Sequence, residues 1–183
     1  MRYLILVAFL LGGCASKVPS FIVAPQVFWP QSAQLQQSQF AFYLTDNRPQ
    51  NYTLRIQQGD KTEQYPTTNN LRQQLEQTLA QALTDKGATL TSGSDNVLTI
   101  QIDQLDALIH QRTLDHQVNN KVTLTLLIQN QAGSFRKSYS GDSSFTSPFK
   151  ADIAAVEREL RVLTEQVVSQ LLQDDSWQNY LRG

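Results

Sequence analysis

From Val97 onward apolar and polar residues alternate, and the alternation changes phase once inside a single run. Leu98, Ile100 and Ile102 share one phase, then Leu105, Ala107 and Ile109 continue in the other. Side chains along a strand point to opposite faces with a period of two, so this run is a half-buried strand. The phase change places a β-bulge near Asp103-Gln104. A chain with such a strand must build a sheet that has one apolar face. Residues 119–129 carry the same signal, with Val122, Leu124, Leu126 and Ile128 on one side and Lys121, Thr123 and Thr125 on the other. Gln131-Ala132-Gly133-Ser134 reads as a hairpin turn, and 135–145 as the return strand. Upstream, 40–45 is a strand ended by the turn signal Asp46-Asn47-Arg48-Pro49, and 52–57 is a second short strand closed by Gly59-Asp60.

Two stretches change to the helical period. Leu71, Leu75, Leu79 and Leu83 recur at every fourth position, opposite Arg72, Gln73, Glu76, Gln77 and Gln81. Asn69 or Asn70 serves as N-cap and Gly87 as the stop. A longer helix is predicted to open at Ser147-Pro148, with Ile153, Val156, Leu160, Leu163, Val167 and Leu171 as its buried stripe. Asp174-Asp175-Ser176 breaks it, and Trp177, Tyr180 and Leu181 form a terminal turn that covers the end of the sheet. The order is β-β-α-β-β-β-α. The expected fold is α+β, a mostly antiparallel sheet with two amphipathic helices on one face, as a single domain over 40–183.

The N-terminus reads as a processing signal. Met1-Arg2 is a short positive start, and Tyr3 to Leu11 is an unbroken apolar run of nine residues. A helix crossing a bilayer needs about 20 such residues, so the run is too short to span and matches a secretory signal. Leu11-Gly12-Gly13-Cys14 then matches the lipobox, an aliphatic residue, two small residues and Cys. The expectation is a lipoprotein signal over 1–13, cleavage before Cys14, and diacylglycerol on the Cys14 thiol, followed by acylation of the freed amine by a chain such as palmitate. Ala15-Ser16 lacks the Asp that resembles an inner-membrane retention signal, so the sorting rule favours the outer membrane of a Gram-negative bacterium, facing the periplasm.

Residues 14–39 form a tether around one apolar segment, Phe21 to Pro30, whose two prolines, Pro25 and Pro30, exclude it from a central strand. It is expected to dock as an extended edge segment; the alternative is an interfacial aromatic anchor through Phe28 and Trp29. The sole cysteine rules out an intramolecular disulfide and a multi-Cys metal site. Net charge is −1 and no basic run occurs, which argues against nucleic acid, because phosphate binding needs clustered Lys and Arg. Membrane contact is therefore expected through lipid on Cys14 and not through a polybasic patch.

Chemistry-bearing clusters are few. His110 and His116 flank a hairpin turn with Arg112 and Asp115, and with Asp103 and Asp106 they form the one group that resembles metal ligands. Their spacing matches no known metal signature, and polar residues on a solvated hairpin are the expectation. Ser138 to Ser144 lacks the Gly-x-Ser-x-Gly elbow. The carboxylate pairs Asp174-Asp175 and Glu157/Glu159 show no reason for a raised pKa. No catalytic residue, metal or cofactor is expected, and the chain is not read as an enzyme. Asp46 and Arg48 are expected to play a structural role, pairing across their own turn or bridging to a helix end; the alternative is contact with a partner. Trp177 and Tyr180 would mark an interface only if exposed.

With these features in order, the chain resembles the YajG family of uncharacterised outer-membrane lipoproteins. The resemblance is carried by Leu11-Gly12-Gly13-Cys14, Val23-Ala24-Pro25, Asp46-x-Arg48, the helix opening at Asn70-Leu71-Arg72-Gln73-Gln74-Leu75 and running to Asp85-Lys86-Gly87, and Asp174-Asp175-Ser176 with the aromatic turn after it. It implies an envelope lipoprotein with no established activity or catalytic residues. Two expectations follow. One is a non-catalytic accessory module that binds an envelope protein partner through a sheet edge or the last helix. The alternative is a lipid- or small-ligand-binding accessory of a lipid or lipopolysaccharide transport system, which needs an apolar cavity between sheet and helices.

Overall fold

A computed structural model describes residues 20–27 and 34–182, so Cys14, the signal and residues 28–33 lie outside the described residues. The described chain holds seven strands and three helices. These are β1 (Gln39–Asp46), β2 (Leu54–Gln58), β3 (Lys61–Tyr65), α1 (Leu71–Asp85), β4 (Thr89–Leu90), β5 (Val97–Gln111), β6 (Asp115–Asn130), β7 (Gly133–Pro148), α2 (Ile153–Gln173) and α3 (Asp175–Arg182).

The fold is the expected α+β, and three long strands dominate it. β5, β6 and β7 form an antiparallel meander in which Ile102 faces Leu124 and Leu124 faces Tyr139. The register slips between Ile102 and Gln104, which is the bulge that the phase change requires. Because of it Leu98, Ile100 and Ile102 and then Leu105, Ala107 and Ile109 all reach the same buried face, each fully buried. The other edge of β5 is shared. β1 pairs with Val97–Ile102 and β2 with Ala107–His110, both parallel to β5. These parallel pairings lie beyond what alternation reveals, since they are set by crossover connections.

β2 turns back into β3 across Gly59, which takes φ +58, so Gly59-Asp60 is the loop of a hairpin and not simply the end of a strand. Residues 61–65, Lys-Thr-Glu-Gln-Tyr, carry no apolar alternation because they form an exposed edge. One expectation is corrected: Ser147 and Pro148 end β7 and do not start the last helix. That helix begins at Ile153 behind the N-cap Asp152, whose side chain accepts from Ala154 N–H at 3.1 Å. Proline fits an edge strand, where its missing N–H faces no partner.

The helices cover one sheet face. α1 is capped by Asn70, which accepts from Gln73 N–H at 3.2 Å. It ends in a Schellman motif: Gly87 N–H bonds Thr84 C=O at 2.9 Å and Ala88 N–H bonds Leu83 C=O at 3.1 Å. Gly87 takes φ +94, as the position after such a cap requires. α2 lies on β5, β6 and β7, so close that a Cβ on Gly141 would stand 2.9 Å from Leu163 Cδ1. Trp177 of α3 is fully buried and its indole N–H donates to Leu171 C=O at 2.7 Å. Tyr180 lays its ring 5.4 Å from that of Phe135 at the start of β7.

Residues 20–27 run extended against both helices as a strap. Phe21 and Val23 are fully buried. The Asn69 side chain donates to Val23 C=O at 2.9 Å and accepts from Val23 N–H at 3.4 Å, as a neighbouring strand would. On the α2 side, Ile22 N–H bonds Glu157 at 2.6 Å and Gln26 N–H bonds Glu165 at 2.9 Å. Phe21 C=O accepts from Thr68 N–H at 2.8 Å, so this segment's backbone is held by the loop before α1 on one side and by side chains of α2 on the other.

Candidate functional site

Among the described residues no helix covers the second sheet face, whose residues are mostly Ser, Thr, Gln, Asn, Asp and Arg. A cleft opens on it where β1 gives way to β2 along β5. There the bulge leaves a gap in the parallel ladder, and residues 47–53 cross it. Asn47 N–H closes one side on Ile102 C=O at 2.9 Å, and Ala107 N–H closes the other on Thr53 C=O at 2.9 Å. Between them the Leu105 carbonyl has no strand partner and accepts from Arg48 Nη1 at 3.2 Å.

Arg48 plugs the gap. Its guanidinium also donates to Thr53 Oγ1 at 2.9 Å and Tyr52 C=O at 3.3 Å, and grips Asp46 at 2.8 and 2.7 Å through two nitrogens. Its side chain is only 7% exposed. Burial tends to raise the Asp46 pKa, but the hydrogen bonds and charge of Arg48, with the charge of Arg72, outweigh that and hold the carboxyl below its ordinary value. The Asp-x-Arg motif is therefore a clamp between loop and bulge, with its charges spent on each other.

Beside the clamp lies a half-open cleft of about 260 Å³, walled by residues 48–50, Tyr52, Arg55 and 103–106. Arg55 Nη2 pairs with Asp106 Oδ2 at 2.6 Å, and Gln104 donates to Asp106 Oδ1 at 2.8 Å. The Arg55 guanidinium stands 5.2 Å from the centre of the Tyr52 ring. Its Nε is buried and has no hydrogen-bond partner among the described residues. A donor left so in a polar cleft favours an acceptor brought by a bound group. Strand alternation could have found Arg55, since Leu54 and Ile56 face the core and put it on the open face. Tyr52 carried no comparable signal.

The structure separates the residues that resembled metal ligands. His110 lies on the open face and His116 on the core face, where its Nδ1 is 3.1 Å from Phe149 C=O and its ring meets Phe145 edge-on. Asp103 accepts from Thr125 and Asp106 from Arg55, while Arg112 and Asp115 pair at 2.6 Å within the hairpin turn. Among the described residues no group of three or more His, Cys, Asp or Glu is placed to hold a metal. Trp177 is interior, so it offers no aromatic patch. Asp174 and Asp175 diverge: Asp174 ends α2, and its carboxylate bonds Lys137 and Tyr139 of β7. Ser138 and Ser140 lie on the open face, away from either histidine ring's hydrogen bonds. Cys14 lies outside the described residues.

The chain is distantly similar to several solved structures. A protein of Xanthomonas campestris is 17% identical, with a TM-score of 0.48 over 84% of this chain and 90% of its own. The minor lipoprotein of Acinetobacter baumannii is 16% identical, with a TM-score of 0.30 over 72% and 84%. Rare lipoprotein B of Shewanella oneidensis is 9% identical, with a TM-score of 0.34 over 66% and 87%. Likenesses at this level leave the assignment to sequence. No curated protein matches the chain. A family model described as an uncharacterised lipoprotein matches residues 25–182, from the strap to the end of α3. The chain therefore belongs to this family of uncharacterised bacterial lipoproteins, the YajG family.

Proposed function

We propose that the chain is exported, cleaved before Cys14, lipidated there, and held at the outer membrane facing the periplasm as a non-catalytic protein-binding module. The observation that supports the binding role is the polar sheet face with its cleft at the β5 bulge, where the buried Arg55 Nε has no acceptor among the described residues. A partner supplying carbonyl or carboxylate oxygens there would complete a site the chain leaves open. The lipobox supports the address, because two or three acyl chains anchor a protein stably where one does not. No helix among the described residues is long and apolar enough to cross a membrane. The lipid-carrier alternative needs room between sheet and α2, and Leu163 and Val167 fill that space against Gly141.

Two measurements test this. Replacing Cys14 with Ala should move the chain from the membrane to the soluble periplasmic fraction; continued membrane association would shift the anchor to residues 21–29. A photocrosslinker at Gln50 or Gln104 in intact cells should capture a recurrent envelope protein that Gln73, exposed on α1, does not. Equal capture from all three positions would refute the cleft as the docking surface.

A further inference from the structure

β7 is 16 residues long, pairs with β6 on one side, and has no strand on the other among the described residues. Its hydrogen-bonding phase can be read. Phe149 N–H donates to Leu114 C=O at 2.8 Å, one step beyond the Asp115–Pro148 pair. Bonded pairs recur at every second residue of an antiparallel ladder. The odd-numbered residues of β7 therefore bond to β6, and the even-numbered ones from Ser134 to Thr146 turn both backbone groups to the free edge. Pro148, also even, puts its missing N–H on that edge, where it costs no ladder bond. The same even residues carry their side chains on the open face, where Arg136 and Asp142 are the charged ones and Ser and Thr are the rest.

A long edge with open backbone groups accepts a further strand, and proteins commonly blunt such edges with charge. Here the two charges are of opposite sign and spaced so that they satisfy each other across a two-fold axis. An antiparallel β7–β7 pair centred on Tyr139 sets Arg136 of each copy opposite Asp142 of the other and Ser138 opposite Ser140. All of these are even positions, so the bonding phase of both edges agrees. Sliding the register to centre on 138 or 140 keeps the phase but sets each charge opposite a serine. Centring on 136 or 142 sets like charges together. From this we infer that β7 is the self-association edge of the protein, pairing with β7 of a second copy in the register that joins Arg136 to Asp142. The interface is isologous. Its axis stands perpendicular to the sheet, so both helical layers and both straps lie on one side, where two lipid anchors would reach one membrane. This deepens the protein-binding reading by naming one partner, and it uses an edge separate from the cleft.

The register makes the test specific. Two differently tagged full-length copies are expressed together, one with Ser138→Cys and one with Ser140→Cys, in cells that oxidise periplasmic thiols. The expected result is a disulfide between the two tags, with far less within either. Arg136→Asp or Asp142→Arg alone should cut that product roughly tenfold by setting two pairs of like charges opposite each other. The double exchange Arg136→Asp with Asp142→Arg should restore it, which also shows that the edge still folds. Predominant 138–138 or 140–140 bonds, single variants that crosslink as well as the parent, or no crosslink with the charges intact would each overturn the inference. Capture from Gln50 and Gln104 is read separately, so either proposal can fail alone.

Discussion

The Tyr139 hydroxyl donates to Asp174 Oδ2 across 2.5 Å, joining the middle of β7 to the residue at which α2 ends and α3 begins. Lys137 Nζ meets the same oxygen at 2.6 Å, and Asp174 Oδ1 accepts from Ser176 N–H at 2.9 Å. Burial works to raise the Asp174 pKa, but the bonds from Lys137, Tyr139 and Ser176 outweigh it and hold the carboxyl well below the usual carboxylate range. Burial and the bond to Asp174 push the Tyr139 phenol well above the usual tyrosine range.

A carboxyl depressed in the folded state contributes stability that is fully present above its unfolded pKa of about 4 and is lost as pH falls through the folded value. Asp174→Asn should cost about 2 kcal/mol at pH 7. Urea unfolding of parent and variant should show that gap steady at neutral pH and narrowing below about pH 4. A gap that does not narrow toward about pH 2 would remove Asp174 as its source.

Arg48 and Arg55 sit on one cleft and should behave differently. Arg48→Ala leaves Asp46 and the Leu105 carbonyl without their main donor, and a loss of about 3 kcal/mol is expected in urea unfolding. Arg48→Lys recovers little of it, because an ammonium cannot span the fork to Asp46 and reach the loop carbonyls together. Arg55→Lys keeps a charge near Asp106 and should lower stability by less than about 1 kcal/mol while reducing partner capture from Gln50. Equal losses of stability at the two positions would contradict the division between clamp and open donor.

Phe21 is buried in the core although it belongs to the strap. Phe21→Ala should destabilise the fold by about 3–5 kcal/mol, as core phenylalanine truncations do. Ile22→Ala, at an exposed position of the same strap, should cost under about 1 kcal/mol. Similar, small effects at both positions would mean that the strap contributes no packing.

Gly141 lets α2 approach the sheet. Gly141→Val must displace Leu163 and Val167, the second of which is fully buried and β-branched. A loss of about 1–3 kcal/mol is expected. Leu163→Ala in the same chain should recover part of it by opening space, which thermal melts of the single and double variants would show.

Much of this architecture is legible in local pattern. The β5 bulge follows from the phase change between Ile102 and Leu105, and the end of α1 from Gly87. The misplaced start of α2 has a physical reason: Ser147-Pro148 has the composition of a helix start, but on an edge strand the same proline is equally tolerated. β3 was invisible because neither of its faces is buried. The cleft was legible only in pieces. Arg48 and Asp46 are near in sequence, while Asp106 meets Arg55 only because β2 pairs with β5 in parallel, and period-two alternation holds no information about partner strands.

The strap also determines reach. Ser20, where the described strap begins, lies six positions after Cys14, and that length of chain extends at most about 20 Å. With the anchor at Cys14, as proposed, the body is held on a short leash. Glu157 and Glu165 of α2 and Asn69 of the loop before α1 hold the strap, so lengthening the leash requires peeling Phe21 and Val23 out of the core. A partner must then come to within a few nanometres of the lipid surface to be bound.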